Sequence, residues 1–554
     1  MMWYSPPGIS RLTETFQVFH KKRAKLFIMS IPDECTVLVV GGGPGGSYTA
    51  SVLAREGIDT VLLEADKFPR YHIGESLLPS FRHYLRFIDL DEEFNNYGFT
   101  KKPGAAFKIN PSRREGVTDF VIDRGPEHYA WNVIRSEADE MLFRHAGKSG
   151  AKILDGVKVT SVQFELATTQ NGVNGTTETN RGEAHSELPN PGRPVSASWT
   201  RKDDGATGIV RFKYIVDATG RAGLLNTKYL RNRHYSAALK NVANWAYYTG
   251  AGKYGDGTHL VNSPFFEALH DESGWAWFIP LHDGTTSVGV VRNQAIAAEK
   301  KSTATSLEAY FDDSLTLAPM LTSLLGAAST RQTPIKSASD YSYHSSSYAL
   351  PYARVVGDAG CFIDPFFSSG IHLAVTGALS AGTTIAAAIR GDVDEETAAQ
   401  WHSAKIRGGY ARWLLIVLSV YKQMIHQNEA VLSDFNEDNF DRAFAFFRPV
   451  IQGTVDETGG KITQAEFAKT IEFVMKAFDP NIFRDGVKNA PGQSTDERDK
   501  APAMELTGED MEALRAIRMS HGLTTGYLEA FTTDVIQGRL PRLERGALTL
   551  VPAS

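Results

Sequence analysis

The sequence is poor in cysteine, with only Cys35 and Cys361 among its 554 residues. Two thiols exclude a disulfide framework and a four-sulfur metal site, and so little cysteine is typical of proteins in reducing compartments. We therefore expect a cytoplasmic protein without a metal site.

A large charge excess is missing as well. The 58 Lys and Arg residues nearly balance the 64 Asp and Glu residues, which leaves a formal charge of −6. Such a chain has no strong positive field to hold a polyanion, so we expect no nucleic acid partner.

Long hydrophobic runs are also missing. The longest strongly apolar segment, WLLIVLSVY at 413–421, is much shorter than the roughly 20 residues that cross a bilayer, and we predict no membrane span. Residues 1–28 lack the apolar segment and cleavage site of a secretion signal. We expect an N-terminal extension without fixed structure, either a transit peptide or an over-long gene model ahead of Met29.

The sequence begins its regular pattern with a strand, a helix and a second strand. CTVLVV at 35–40 and IDTVLLEAD at 58–66 have the composition of buried strands, and the segment 44–57 has that of a helix. The pattern predicts a βαβ unit. Residues 167–208 are rich in Asn, Thr, Gly, Ser and Pro, so we expect a flexible insertion there. After about Gly370 the pattern is mainly helical.

Three glycines lie where the first predicted strand meets the helix. Gly41, Gly43 and Gly46 have the spacing GxGxxG, which permits a tight turn and brings backbone amides close to a pyrophosphate at a helix N-terminus. Glu64, at the end of the second strand, is placed to accept a hydrogen bond from a ribose hydroxyl. The pattern predicts a dinucleotide site, and the alternative is a glycine-rich turn without a ligand.

Two later strands end in glycine-containing turns. IVDATG reaches Gly220, and VVGDAG contains Gly357 and Asp358. Together with the first unit, these segments resemble the FAD-binding fold of the aromatic hydroxylase superfamily. The resemblance implies that Asp358 holds the ribityl chain of FAD and that Arg135 lies beside the flavin.

The fold class that this resemblance implies is α/β, an FAD-binding Rossmann-like fold with a β-rich substrate domain and a C-terminal helical region. We expect the FAD-binding and substrate parts to interleave over residues 29–375 and residues 376–554 to be mainly helical. The sequence has one convincing dinucleotide fingerprint, which favours FADH2 arriving by diffusion from a separate flavin reductase. Hydroxylases of this superfamily also bind NAD(P)H without a second fingerprint, so both routes stay open.

The segment GWAWFIP at 274–280 places two tryptophans two positions apart. Strand alternation puts Trp275, Trp277 and Ile279 on one face. Such a face alone is more often part of a core. Beside the FAD fingerprint, the pattern GWxWxIP resembles the flavin-dependent halogenases, and the resemblance implies an aromatic wall between flavin and substrate.

The segment DPFFSSGIHLAV predicts a loop that ends at a helix near Ile371. Backbone amides around Ser368, Ser369 and Gly370 would then form an anion site at the helix N-terminus, and simple capping by Ser369 is the alternative. The resemblance implies that this segment binds halide. Tryptophan halogenases carry a glutamate where Phe367 stands here, so a glutamate-assisted mechanism is not transferred.

A lysine in FTKKPGAAFKIN completes the resemblance. The spacing from Lys102 to Phe107 matches that of the family's essential lysine, so the resemblance implies this role for Lys102. Lys108 is the second candidate, and we expect Lys101 to point elsewhere. An ammonium can hydrogen-bond hypochlorous acid (HOCl) beside the aromatic ring, or form a haloamine if burial lowers its pKa. Both species stay open.

The segments HIGESLLPS, KKPGAAFK and DPFFSSGIH resemble most closely the fungal halogenases of phenolic polyketides such as resorcylic acid lactones. The resemblance implies that FADH2, O2 and chloride serve to chlorinate an electron-rich phenolic ring of a free substrate. The main alternative is a single-component FAD-dependent aromatic hydroxylase. A flavin-binding escort or sensor without chemistry and an FAD-dependent reductase of isoprenoid double bonds are further alternatives.

Overall fold

The computed structural model describes residues 30–112, 114–122, 125–165, 191–427, 531 and 535–553. Its strands are β1 (Glu34–Val40), β2 (Thr60–Glu64), β3 (Thr100–Lys102), β4 (Gly104–Lys108), β5 (Gly116–Asp119), β6 (Ala130–Asn132), β7 (Lys152–Asp155), β8 (Val157–Glu165), β9 (Arg193–Arg201), β10 (Thr207–Asp217), β11 (Arg233–Thr249), β12 (Phe265–Ala268), β13 (Gly274–Pro280), β14 (Thr286–Asn293), β15 (Thr330–Arg331), β16 (Lys336–Ser345), β17 (Ala349–Leu350), β18 (Ala353–Val355), β19 (Arg539–Arg542) and β20 (Thr549–Pro552).

The α-helices in the same ranges are α1 (Pro44–Arg55), α2 (Ser80–Phe87), α3 (Asp91–Asn96), α4 (Arg135–Lys148), α5 (Gln294–Thr303), α6 (Leu307–Thr316), α7 (Pro319–Leu325), α8 (Gly370–Arg390) and α9 (Glu395–Ile425). Short 3-10 turns at Gly357–Ala359 and Pro365–Phe367 precede α8.

The predicted βαβ unit forms the centre of a mainly parallel sheet. The sheet has the order β17-β18-β10-β1-β2-β7, and β1 runs parallel to both β2 and β10. Since parallel strands end at one edge, the segments that follow β1, β2, β10 and β18 meet there. The glycine fingerprint, Glu64 and the Gly357–Ala359 turn are therefore brought together, and the expected α/β class is confirmed.

The second large sheet carries the two tryptophans near its middle. Its order is β15-β11-β14-β13-β12-β4-β5, with β16 paired to β11. Trp275, Trp277 and Ile279 pack into one hydrophobic cluster, whereas Ala276 and Phe278 pack into another on the opposite face. The predicted alternation along β13 is confirmed.

The flexible insertion that we expect at residues 167–208 is wrong in its last part, which is a strand. Residues 193–201 form β9, which pairs with β8 on one side and β10 on the other. Small polar side chains favour a flexible segment in the prediction. Backbone pairing on both edges nevertheless stabilises this strand, although it buries little apolar surface. The rest of the insertion up to residue 190 lies outside the described residues, as do residues 1–28.

Helix α8 passes through the expected boundary between residues 375 and 376. It packs against α1, α2 and α9, and Gly382 permits a close approach to Val52, because a Cβ there would lie 2.5 Å from its side chain. By length and composition α8 could cross a membrane, but 83% of its apolar window is buried in the protein, as in a core helix. From Asp33 onward the described residues form one compact unit.

The C-terminal part, which we expect to be mainly helical, also contains two strands. Helices α8 and α9 follow the expectation for residues 376–554, while residues 428–530 lie outside the described residues. Near the C-terminus β19 and β20 form an antiparallel hairpin. Arg390, at the end of α8, donates to the carbonyl of Leu548 beside that hairpin at 2.6 Å. The hairpin was not predicted.

Candidate active site

The glycine fingerprint is shaped by close backbone contacts. A Cβ at Gly41, whose φ is +106°, would lie 2.1 Å from the carbonyl oxygen of Ala218, and a Cβ at Gly46 would lie 1.8 Å from that of Gly41. Gly43 precedes α1 without a side-chain cap, and the atom nearest to its Cβ position is a guanidinium nitrogen of Arg70 at 3.5 Å. A helix N-terminus with uncapped amides beside an arginine fits a pyrophosphate.

Glu64 holds this loop through both carboxylate oxygens. Oε2 accepts a hydrogen bond from the amide of Gly42 at 2.5 Å, and Oε1 accepts one from the amide of Asp66 at 2.8 Å. Each oxygen keeps a second lone pair, so the role of ribose acceptor stays a prediction. Arg70 lies 3.8 Å from Glu64 and was missed, because a lone arginine after a strand carries no sequence signal.

Asp358 and Arg135 lie within electrostatic reach of one another. Burial raises the pKa of Asp358 to about 6, and the positive charges of Arg135, Arg221 and Arg233 oppose this rise. The turn that carries Asp358 follows β18 at the same sheet edge as the glycine fingerprint. The structure thus places together the two residues that the resemblance assigns to the flavin.

Arg135 also holds a loop segment of the site, Ile73–Leu77. Its guanidinium pairs with the carboxylate of Asp139 at 2.8 Å and donates to the carbonyl oxygens of Ile73 at 2.9 Å and Gly74 at 3.2 Å. The Ile73–Leu77 segment belongs to HIGESLLPS, which carries the family resemblance but suggested no individual roles. Its conformation is fixed by buried polar contacts.

Lys102 contacts the other end of the Ile73–Leu77 segment. Its side chain is 1% exposed, and Nζ donates to the hydroxyl of Ser76 at 2.8 Å and to the carbonyl of Leu77 at 2.7 Å. Burial lowers the pKa of Lys102 to about 7. The ring of Phe120 lies 5.3 Å from Nζ. A buried amine that titrates near neutrality is typical of functional lysines.

The neighbouring lysines have different environments. Lys101 is exposed, with Nζ 4.4 Å from the ring centroid of Tyr129, whereas Lys108 is half-buried at the end of β4. Alternation along β3 directs adjacent side chains to opposite faces. Lys101 therefore points away from Lys102, as expected from the sequence, and the catalytic assignment of Lys102 stays a prediction.

The tryptophan face forms a buried aromatic wall. The ring centroids of Trp275 and Trp277 are 5.9 Å apart, and Trp245 extends the wall at 6.3 Å from Trp277. Gly289 faces Trp277 on the neighbouring strand, where a Cβ would lie 2.3 Å from the indole. The wall therefore requires glycine at that position.

Asn132 connects the lysine region to the end of the wall strand. It pairs with Thr100 across β3 and β6 and forms a bridge with Ser76. Its side-chain amide donates to the carbonyl of Pro280, the last residue of GWAWFIP, at 3.1 Å. The strand pair that carries Lys102 is thereby fixed to the wall strand, a link that the sequence did not reveal.

The predicted halide loop lies between a 3-10 turn and α8. Ser368 has a left-handed conformation with φ 59°. Ser369 is buried, and its hydroxyl has no hydrogen-bond partner among the described residues. It makes no side-chain cap, and α8 begins at Gly370, one residue before the predicted start. These contacts do not support the capping alternative, while halide binding itself stays a prediction.

Phe367 packs against other aromatic rings at the position where tryptophan halogenases carry a glutamate. It is buried, with ring centroids 5.3 Å from Phe107 and 4.9 Å from Phe366. Phe366 in turn lies 5.1 Å from Trp275 in an edge-to-face contact. The 3-10 turn before the predicted halide loop, the wall and β4 thus share one hydrophobic cluster.

The chain is similar to known FAD-binding proteins over most of its length. A model of the FAD binding domain matches residues 34–407. The chain is 55% identical to the flavin-dependent halogenase ascD of Acremonium egyptiacum, covering 94% of this chain and 93% of the relative. It is 51% identical to the sulochrin halogenase gedL of Aspergillus terreus, covering 94% of each.

Solved structures show the same architecture. The myxobacterial chondrochloren halogenase CndH matches with 27% identity and a TM-score of 0.59, over 76% of this chain and 90% of that protein. The flavin-dependent halogenase CmlS matches in fold with 24% identity and a TM-score of 0.62, over 82% of this chain and 78% of that protein.

Proposed function

Because the chain belongs to the flavin-dependent halogenases, which are FAD-binding oxidoreductases, we propose that it chlorinates an electron-rich phenolic ring of a free, polyketide-type small molecule. The observation that carries the proposal is the buried amine of Lys102, which hydrogen bonds to Ser76 and Leu77 hold 5.3 Å from the ring of Phe120. Its relative gedL is named for the halogenation of sulochrin, which supports a small-molecule substrate.

The cofactor site fits FAD through close-packed glycines and charged groups. Gly41, Gly43 and Gly46 would hold the pyrophosphate, Glu64 would accept from a ribose hydroxyl, and the turn at Asp358 would hold the ribityl chain, with Arg135 nearby. Bound FADH2 supplies two electrons, so that O2, chloride and a proton yield HOCl and water. We infer that a separate reductase delivers FADH2, because the sequence has one convincing fingerprint.

In this proposal the loop Ser368–Gly370 holds chloride. The first amides of a helix have no intrahelical acceptor, and they attract anions together with the helix dipole. The left-handed conformation of Ser368 sets the direction in which the chain enters α8. Gly370 is exposed and has open space at its Cβ position, which supports access by a small ion.

Lys102 positions the oxidant in the proposed reaction. Its two hydrogen bonds to Ser76 and Leu77 use two of the three ammonium hydrogens. The third hydrogen binds the oxygen of HOCl and directs its chlorine toward the ring. In the neutral form, the amine nitrogen instead takes the chlorine of HOCl and loses one hydrogen, which gives a haloamine and water. With a pKa of about 7, both forms are accessible near neutral pH.

The wall formed by Trp275 and Trp277 keeps the aromatic substrate apart from the flavin. Both rings are buried, so they exclude water and prevent side reactions of the oxidant. The substrate ring replaces a hydrogen with chlorine, and the hydroxide of HOCl leaves as water with the released proton. A phenol activates its own ring for this attack, which is consistent with Phe367 in place of a glutamate.

The test uses the purified protein with FAD, a generic flavin reductase, NADH, chloride and a panel of phenols. We expect a chlorinated phenol whose formation requires both chloride and the reductase. Hydroxylated product, with NADH oxidised by the protein alone, would favour the hydroxylase alternative. Bound FAD without product from any phenol would contradict the proposal.

A further inference from the structure

A buried hydrogen-bond network joins the aromatic wall to the start of the predicted halide loop. The indole nitrogen of Trp275 donates to the hydroxyl oxygen of Tyr421 at 2.7 Å, and the side-chain amide of Asn241 donates to the same oxygen at 2.8 Å. Tyr421 in turn donates to Oδ2 of Asp364 at 2.5 Å. Trp275, Asn241, Asp364 and Tyr421 are all buried.

The network connects four separate parts of the fold. Asn241 lies on β11, Trp275 on β13 and Tyr421 on α9. Asp364 directly precedes the 3-10 turn that leads into the predicted halide loop. The second oxygen of Asp364, Oδ1, accepts from the amide of Phe366 at 3.1 Å. One carboxylate therefore fixes the turn through one oxygen and the tyrosine through the other.

The hydroxyl of Tyr421 is saturated in this arrangement. A phenolic oxygen accepts two hydrogen bonds and donates one, and these three positions are filled by Trp275, Asn241 and Asp364. A fully satisfied buried network permits one orientation of its members, since breaking any bond leaves an unpaired polar atom. The indole of Trp275 therefore has a fixed position relative to Asp364.

We propose that Tyr421 is a positioning residue that fixes the wall at Trp275 to Asp364, ahead of the halide loop, so that HOCl leaves the loop on the side that leads to Lys102. The inference rests on the proposed function.

Without the hydroxyl, the hydrogen-bonded link from Trp275 to Asp364 is lost. The ring contact between Phe366 and Trp275 and the bond from Asn241 to Asp364 remain, and they hold the two parts less firmly. Less chloride is then oxidised, so more of the reducing equivalents end as hydrogen peroxide. HOCl that misses the path to Lys102 is lost without chlorinating the phenol, which lowers the product without adding peroxide.

The experiment compares Tyr421→Phe with the wild type in the reconstituted assay with reductase, NADH, chloride and the phenol converted best. We expect the ratio of peroxide released to chlorinated product to rise about fivefold, the factor that corresponds to one hydrogen bond of ordinary net strength. The KM for chloride should rise by a similar factor. FAD binding should stay near the wild-type value, whereas thermal stability should fall, because the buried indole nitrogen of Trp275 loses its acceptor.

Two further variants separate positioning from general packing. Asp364→Asn keeps an oxygen for the Phe366 amide but presents a donor to Tyr421, so it should raise the peroxide ratio as Tyr421→Phe does. The double variant should be no worse than either single variant, because both changes break one network. Tyr410→Phe, a buried tyrosine on α9 beside His344, should leave the ratio unchanged.

An unchanged ratio in Tyr421→Phe and Asp364→Asn, or an equal rise in Tyr410→Phe, would overturn the inference. Either result can occur while the wild type still chlorinates phenols, so it leaves the proposed function intact. A wild type that forms no halogenated product contradicts the proposed function itself and removes the basis of this inference.

Discussion

The ammonium group of Lys102 donates to the carbonyl oxygen of Leu77 across 2.7 Å, and its other acceptor, the hydroxyl of Ser76, is equally uncharged. Neither partner compensates a buried positive charge, which is why burial lowers the pKa of Lys102 to about 7. The arrangement costs stability, and a hydrophobic residue of similar length would pack there at least as well.

Lys102→Met should therefore stabilise the protein, and most strongly at low pH. Below about pH 7 the folded wild type holds a buried charge. Between pH 7 and about pH 10 the unfolded chain binds more protons than the folded protein, so the wild type gains up to about 1.4 kcal/mol of unfolding free energy per pH unit.

Denaturant unfolding at pH 6 and pH 9 measures the difference in unfolding free energy between Lys102→Met and the wild type. The exposed Lys101→Met variant should show no comparable pH dependence, and an advantage of Lys102→Met that grows with pH would contradict the burial argument.

Gly289→Ala should displace the indole of Trp277. The added Cβ would lie 2.3 Å from the ring, and such overpacking costs roughly 1–3 kcal/mol. We expect lower thermal stability and less chlorination per FADH2 consumed, with FAD still bound. Gly408→Ala is the matched control, because its Cβ position on α9 meets no atom within 4 Å. If both variants form the same amount of chlorinated product per FADH2 consumed, the position of Trp277 does not affect the reaction.

Phe367→Leu should retain chlorination of phenols, since this side chain takes no part in the proposed formation or positioning of HOCl. The smaller residue loses contacts with Phe107 and Phe366 and should lower the unfolding free energy by roughly 1–2 kcal/mol. Phe367→Glu should cost several kcal/mol, because it introduces a carboxylate into an aromatic cluster. A Glu variant with higher activity than the wild type would mean that the glutamate-assisted mechanism applies here after all.

Ser368→Gly and Ser368→Val should differ in their use of chloride. Glycine adopts the left-handed conformation at φ 59° without strain, whereas a β-branched residue resists it. We expect the Gly variant to keep the wild-type KM for chloride and the Val variant to raise it about tenfold, the factor expected from 1–2 kcal/mol of backbone strain. Steady-state rates over a series of chloride concentrations give the KM of each variant. Identical KM values for the Gly and Val variants would argue against halide binding at this loop.

The local patterns predicted from the sequence depend on short-range physics. The β1-α1-β2 unit, the single face shared by Trp275 and Trp277, and the opposite directions of Lys101 and Lys102 follow from hydrophobic periodicity and strand alternation. Helix α8 begins within one residue of its predicted start because a loop rich in Ser and Gly precedes an apolar helical run.

The parts that were missed depend on long-range pairing. β9 was taken for a flexible segment because its stabilisation comes from two neighbouring strands. The acceptors of Lys102 lie 25 and 26 positions away in sequence, and Tyr421 lies 146 positions from Trp275. Composition and periodicity carry no information about such contacts, so Ser76, Leu77 and Tyr421 emerge only from the folded chain.

In the proposed reaction the oxidant forms in one place and is used in another under the direction of Lys102. A single turnover of Lys102→Met with pre-reduced FAD, O2, chloride, the phenol and a soluble β-diketone that traps HOCl tests it most directly. We predict that the variant oxidises FADH2 as the wild type does, leaves the phenol unchanged and chlorinates the trap, whereas wild type and Lys101→Met chlorinate the phenol. Chlorination of the phenol by Lys102→Met at the wild-type rate would contradict the account.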